Sequence, residues 1–195
     1  MKFKKAPLFL SMALAASLMA VPAQAAVSTA GGSDETPVTI TAQATTFSVT
    51  VPTSIAVHVD AKGVATVADN TALQIVNESA GAVKVTKVQI QGDAWKLADY
   101  NGGDRALLAK EKVDSNQIGL SLKAGETTVA TNGKAEKAVE NPTGWTMGGK
   151  GVAANGNILP IEAKAIATAV SQTIEQANAQ NAAKVIFTIG WDTQA

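Results

Sequence analysis

The feature that most limits what this chain can become is the stretch Lys184-Val-Ile-Phe-Thr-Ile-Gly-Trp191. Val185, Phe187, Ile189 and Trp191 fall on one parity, and residues two apart share a face of a strand. The stretch therefore predicts a strand with one wholly apolar, bulky face. Ile186 adds bulk to the other face, which predicts that both sides are at least partly covered.

The same period recurs upstream. Phe47-Ser-Val-Thr-Val51 and Ile55-Ala-Val-His-Val59 each alternate strictly, with Pro52 between them. Proline has no N–H for a central ladder, so a bend or a change of sheet is expected at that point. Asp60-Ala-Lys-Gly63 has the chemistry of a hairpin turn, with Val64 to Val67 as the return strand. Leu73–Val76 and Val83–Ile90 predict two more strands. In the second, the apolar parity passes from Val83 and Val85 to Val88 and Ile90. A regular strand cannot change faces, so a bulge or face switch is expected near Thr86-Lys87. Trp95 and Leu97 open a short strand before the turn-rich run from Asp99 to Asp104, and Ile118, Leu120 and Leu122 mark another.

Two later regions are less regular. From 123 to 157 the alternation dissolves among glycines at 125, 133, 144, 148, 149, 151 and 156, which predicts a Gly-rich irregular insertion, usually a functional or mobile feature. Trp145 is the large apolar residue inside it. Ile158, Leu159 and Ile161 restart a strand towards Ala165. Between 166 and 183, Ile166, Val170 and Ile174 fit both helical and strand spacing. The expectation is a strand to about Val170 and a short helix or helical turn near 174–180. Nine or ten short strands without alternating long helices indicate an all-β fold, an antiparallel β-sandwich or jelly roll.

The amino terminus is a targeting signal. Lys2, Lys4 and Lys5 form a basic head, Ala6 to Val21 is apolar, and Ala23-Gln-Ala25 is a small-x-small cleavage site. Residues 1–25 are thus expected to be removed, 26–36 to form a polar flexible arm, and 37–195 to form one domain. The apolar run is too short to serve as an anchor, so a secreted, cell-surface protein with no membrane span after cleavage is expected. There is no cysteine, so neither disulfides nor a lipid-modified cysteine is available. Removing the leader leaves 13 basic against 16 acidic side chains, a net charge near −3 and no footprint for nucleic acid.

No catalytic set emerges. His58 is the only histidine and lies on the polar parity of its strand, whereas a triad or zinc site needs a nearby nucleophile or further nitrogen and sulfur ligands. No phosphate-binding glycine loop is present. Asp99, Asn101 and Asp104 carry oxygen ligands of the kind calcium takes, but without the spacing of an EF-hand loop, and Asp-Asn-Gly clusters are ordinary turn composition. The expectation is no enzyme, no cofactor and no metal. Trp95 and Trp191 are expected in the core. Trp145 is the candidate exposed stacking residue for a glycan.

The leader, the cysteine-free chain, the period-two strands and the terminal Val185-Ile-Phe-Thr-Ile-Gly-Trp-Asp192 resemble the small exported β-sandwich proteins of bacterial surfaces. Two groups are nearest. The TasA/camelysin type of fibre subunit has a jelly roll that can polymerise by passing an N-terminal strand to its neighbour. The WxL surface domain attaches to the cell wall, and Trp95-Lys96-Leu97 fits its three-letter pattern, as Ile189-Gly-Trp191 fits its aromatic end. A second Trp-x-Leu is absent, since Trp145 and Trp191 lead into Thr146-Met147 and Asp192-Thr193. The first resemblance implies a fibre or extracellular-matrix subunit that binds itself or sister subunits. The second implies a wall- or polysaccharide-binding adhesion module. Independently of either, Val38, Ile40 and Ala42 alternate in a segment behind a polar arm, which suits an assembly strand that adds to an exposed sheet edge.

Overall fold

The computed structural model describes Ile40 and residues 46–68, 73–133, 135–154 and 156–193. The expected leader and arm, and Val38 and Ala42, lie outside them. Residues Gln43–Ala195 form one compact unit.

The fold is all-β, built from thirteen strands among the described residues. In chain order they are β1 (Val49–Thr50), β2 (Val57–Val59), β3 (Ala65–Val67), β4 (Gln74–Asn77), β5 (Val83–Gly92), β6 (Lys96–Leu97) and β7 (Gln117–Ala124). Then follow β8 (Thr127–Ala130), β9 (Lys137–Glu140), β10 (Thr146–Met147), β11 (Ile158–Pro160), β12 (Glu162–Ala167) and β13 (Ala183–Trp191). They form four sheets: β1-β4-β11; β10-β5-β13 with β9 also on β5; β12-β7-β6 with β8 also on β7; and the β2-β3 hairpin. Every pair is antiparallel except β6 with β7.

Pro52 marks a change of sheet: β1, before it, pairs with β4, whereas β2, after it, pairs with β3. Proline acts here by removing a ladder donor where the chain must leave one sheet for another. The β2-β3 turn is closed by Asp60, whose Oδ1 accepts the Lys62 and Val64 amides at 2.9 and 2.7 Å. The Val64 bond holds the Asp60 carboxyl below its ordinary pKa. Gly63, at φ +78°, supplies the left-handed residue the turn needs.

The parity change in β5 is a bulge. Thr188 pairs with Lys87 and Ile189 with Val85, leaving Thr86 as the extra residue. Val83, Val85, Val88 and Ile90 are thereby all turned inward, each no more than 1% exposed. They join one apolar cluster with Ile75, Leu97, Ile118, Leu120, Leu122, Val129, Trp145 and Leu159, drawn from three of the sheets. The end of β4 buries an amide. Asn77, fully buried, donates to the Gly81 and Gly148 carbonyls at 2.8 Å each, while its Oδ1 accepts the Ser79 amide at 2.9 Å.

Four expectations need correction. The stretch 123–157 is not an irregular insertion, because it contains β8, β9 and β10. Its glycines turn the chain between strands too short to show alternation: Gly125, Gly133 and Gly144 all have positive φ. Gly149 has a different reason, since a Cβ there would collide with the Ala80 carbonyl. Trp191 is not a core residue: it is 37% exposed and packs edge to face on Phe47, itself 43% exposed, with ring centroids 5.1 Å apart. The outer face of the last strand is also open, with Ile186 42% exposed. Further back, the strand expected to reach Val170 ends at Ala167, and a 3-10 turn at Gln176–Asn178 falls inside the expected helical stretch.

Candidate functional site: the open edge of the last strand

Among the described residues, β13 pairs along its whole length with β5 and with no other strand. Its second edge borders a groove of about 400 Å³. One wall is Ala182 to Val185 with Phe187; the other is Pro52 to Ile55 with Val57, a stretch forming no ladder before β2. No β5 residue lines the groove, so it lies on the side of β13 away from its partner. Ile118 and Leu120 of β7, 3% and 5% exposed, are its deepest residues.

Chemically the groove is apolar inside and polar at the rim. Val185, Phe187, Ile55, Val57, Ile118 and Leu120 supply the interior, and Thr53, Ser54, Gln180, Asn181 and Lys184 the rim. Phe187 is held from behind by Trp145, the rings 6.3 Å apart and tilted by 33°. At the entrance to β13, Gln180 Oε1 accepts the Trp95 indole N–H at 3.0 Å, and Lys184 lies 3.1 Å from the Asp93 carboxylate. The loop leading there is tied down by Asp114, whose carboxylate accepts the Ser171 hydroxyl and amide. The hydroxyl bond, and then the amide bond, keep the Asp114 carboxyl below its ordinary pKa. An apolar trough with unpaired backbone on one side and a non-ladder segment on the other suits an extended peptide better than a compact polar ligand.

The residues singled out from the sequence fall elsewhere. Trp145 is fully buried, which corrects its assignment as an exposed stacking residue. The Val85 amide donates to its carbonyl at 2.9 Å, and its indole N–H reaches the Thr127 carbonyl at 3.4 Å, so a glycine-rich neighbourhood folds over it instead of presenting it. Trp95 and Leu97 of the WxL-like triplet are 6% and 2% exposed. His58 is exposed on β2 opposite Thr66.

Asp99 and Asp104 each cap a local turn, accepting the Asn101 and Ala106 amides at 3.0 and 2.8 Å. Among the described residues, no group of three or more His, Cys, Asp or Glu side chains could hold a metal ion. Of the assembly segment, Ile40 is 86% exposed and in no strand, and Val38 and Ala42 lie outside the described residues. Sequence reasoning missed the groove walls. The one available signal was Pro52, which stops the alternation at the point where the wall begins.

Among the described residues no helix is long and apolar enough to cross a membrane. Comparison of the chain with protein-family models, with curated protein sequences and with solved structures gave no match.

Proposed function

We propose that this chain is a secreted, non-catalytic structural protein of the bacterial cell surface, a fibre or extracellular-matrix subunit that assembles by strand addition. The observation that carries the proposal is the open edge of β13. It is nine residues long and lies beside an apolar groove. Natural sheets protect such edges with short strands, prolines, bulges or charge, because unpaired N–H and C=O groups template pairing with another chain. From Val185 to Trp191 this strand carries no charged side chain and no proline. A wall- or glycan-directed role has less support, since Trp145 and Trp95, which would carry it, are buried.

The test is the size of the particle. The chain from Ala26 onward should form concentration-dependent oligomers by light scattering. Removing Ala26 to Gln43 should leave a folded monomer, as the compact unit begins at Gln43. A full-length chain that stays monomeric at high concentration would overturn the proposal.

A further inference from the structure

We propose that the β2-β3 hairpin is a flap beside the groove, held shut by a latch at its tip in which Arg105 closes over Gly63. The flap controls access to the groove and takes its purpose from the role proposed for that groove, whereas its motion is a property of the single chain.

The hairpin is loosely bound to the sheets around it. Among the described residues β2 and β3 pair only with each other. Beyond that ladder, the Asp60, Gly63 and Ala68 amides donate to the Val64, Asp60 and Ala56 carbonyls at 3.0, 2.8 and 2.9 Å, all within the hairpin. β3 lies against β12 without a ladder between them. A two-stranded hairpin is marginal in water, so this one depends on what it packs against. Ile55, Val59, Ala65 and Val67 pack on the core but are only half-buried.

The tip is different. Loop tips are ordinarily exposed, yet Gly63 is buried, and it alone is so from Val51 to Ala68. It is enclosed between Arg105 and the backbone of Ala169, two residues past β12. A Cβ at Gly63 would collide with Arg105 Nη2 and stand 2.9 Å from the Ala169 nitrogen. Arg105, the chain's only arginine, reaches the tip from a braced loop. Asp104 Oδ1 accepts the Ala106 amide at 2.8 Å, the Arg105 carbonyl accepts the Ala109 amide at 2.8 Å, and Leu108 is buried. Arg105 Nε is itself enclosed, with no acceptor among the described residues. Closing the latch costs that donor its hydration, so the closed state is held lightly.

Opening has a pivot. Pro52 to Ser54 belong to no strand and join β1 to the hairpin. With Ile55 and Val57 they form the groove wall that faces β13 across Ile118 and Leu120. Releasing the tip from Arg105 lets that wall swing outward and uncovers the floor.

The absence of cysteine allows thiol labelling at single introduced sites. I118C and L120C report on the floor, and V129C, fully buried on β8 and outside the groove, reports on global opening. Each would be reacted with a maleimide in dilute protein, with Arg105 in place and in R105A. The floor thiols should react about tenfold faster in R105A, with V129C unchanged, as expected for opening of one unit and not of the fold. Two floor positions keep the test decisive if one variant fails to fold. In the cysteine-free chain, deuterium exchange of β2 and β3 should outpace that of β5 and quicken a further tenfold or so in R105A, while β5 keeps its rate.

Hairpin amides that exchange no faster than those of β5 would overturn the flap. Floor thiols and hairpin amides indifferent to R105A would overturn the latch, as would an equal rise at V129C, which marks loosening of the whole fold. A chain that stays monomeric yet shows the R105A effect loses the assembly proposed above and keeps the flap.

Discussion

β5 and β13 are neighbours of nearly equal length, ten and nine residues, yet they differ in burial. In register, Val185 stands opposite Ile90, Phe187 opposite Val88, Ile189 opposite Val85 and Trp191 opposite Val83. The four β5 residues are at most 1% exposed, while their partners are only half-buried, and Trp191 reaches 37%. The side chains on the two strands are equally apolar, so hydrophobicity does not explain the contrast. Position does. β5 has β13 on one edge and β9 and β10 on the other. Among the described residues, β13 has a partner on one side only. Cover over the core runs out within one strand spacing, about 4.8 Å, and what remains is the groove above Ile118 and Leu120. The lesson is that a core-like sequence can stand at a sheet edge, where position and not composition limits its burial.

That contrast can be broken by mutation in dilute, unassembled protein. The largest effect is expected at Ile90→Ala, about 3 kcal/mol in urea unfolding, because a fully enclosed side chain leaves a cavity. Phe187→Ala should cost about 2 kcal/mol, since its ring packs on Trp145 but also fronts the groove. Ile186→Ala, on the open outer face, should stay within about 0.5 kcal/mol. Equal losses at Ile90 and Ile186 would mean that the two strands are covered alike.

A smaller effect should be visible in pH. Asp114 anchors the loop that enters β13, and its carboxyl is held below the ordinary value by the Ser171 hydroxyl and amide. A depressed carboxylate stabilises the fold above its unfolded pKa and loses that contribution as pH falls through the folded value. D114N should therefore melt slightly below the parent near pH 6, with the gap closing as the pH falls below about 3. A gap independent of pH would assign the loss to packing instead of charge.

Strand alternation made much of this legible in advance. The Thr86 bulge could be placed because β-branched residues change parity across it, and the Asp60–Gly63 turn because its residues are specific to turns. The change of sheet at Pro52 followed from one missing N–H. The stretch 123–157 was opaque for a physical reason: β8 and β9 have four residues each with a single inward valine, Val129 or Val139, and one such residue per strand cannot display a period. Trp145 was misread on account of its neighbours, since glycines beside a tryptophan can mean a loop or a backbone brought close enough to bury it. The groove had no signature of its own, because its floor and walls come from segments far apart in the chain. Only their pairing shows which edge is left open.

The buried Asn77 amide has a consequence for how uniquely this chain can fold. β1 contributes only two residues to its ladder with β4, and β11 only three. Ladders that short, in which Thr50 and Ile158 face Val76 and Leu159 faces Ile75, have few pairs to resist sliding. Moving β4 by one residue would carry Asn77 away from the Gly148 carbonyl, while its local bonds to Ser79 and Gly81 travel with it, and leave a buried polar group without a partner at about 1–3 kcal/mol. One asparagine thus acts as a key cut for a single alignment, supplying discrimination between near-identical pairings that the apolar residues around it cannot.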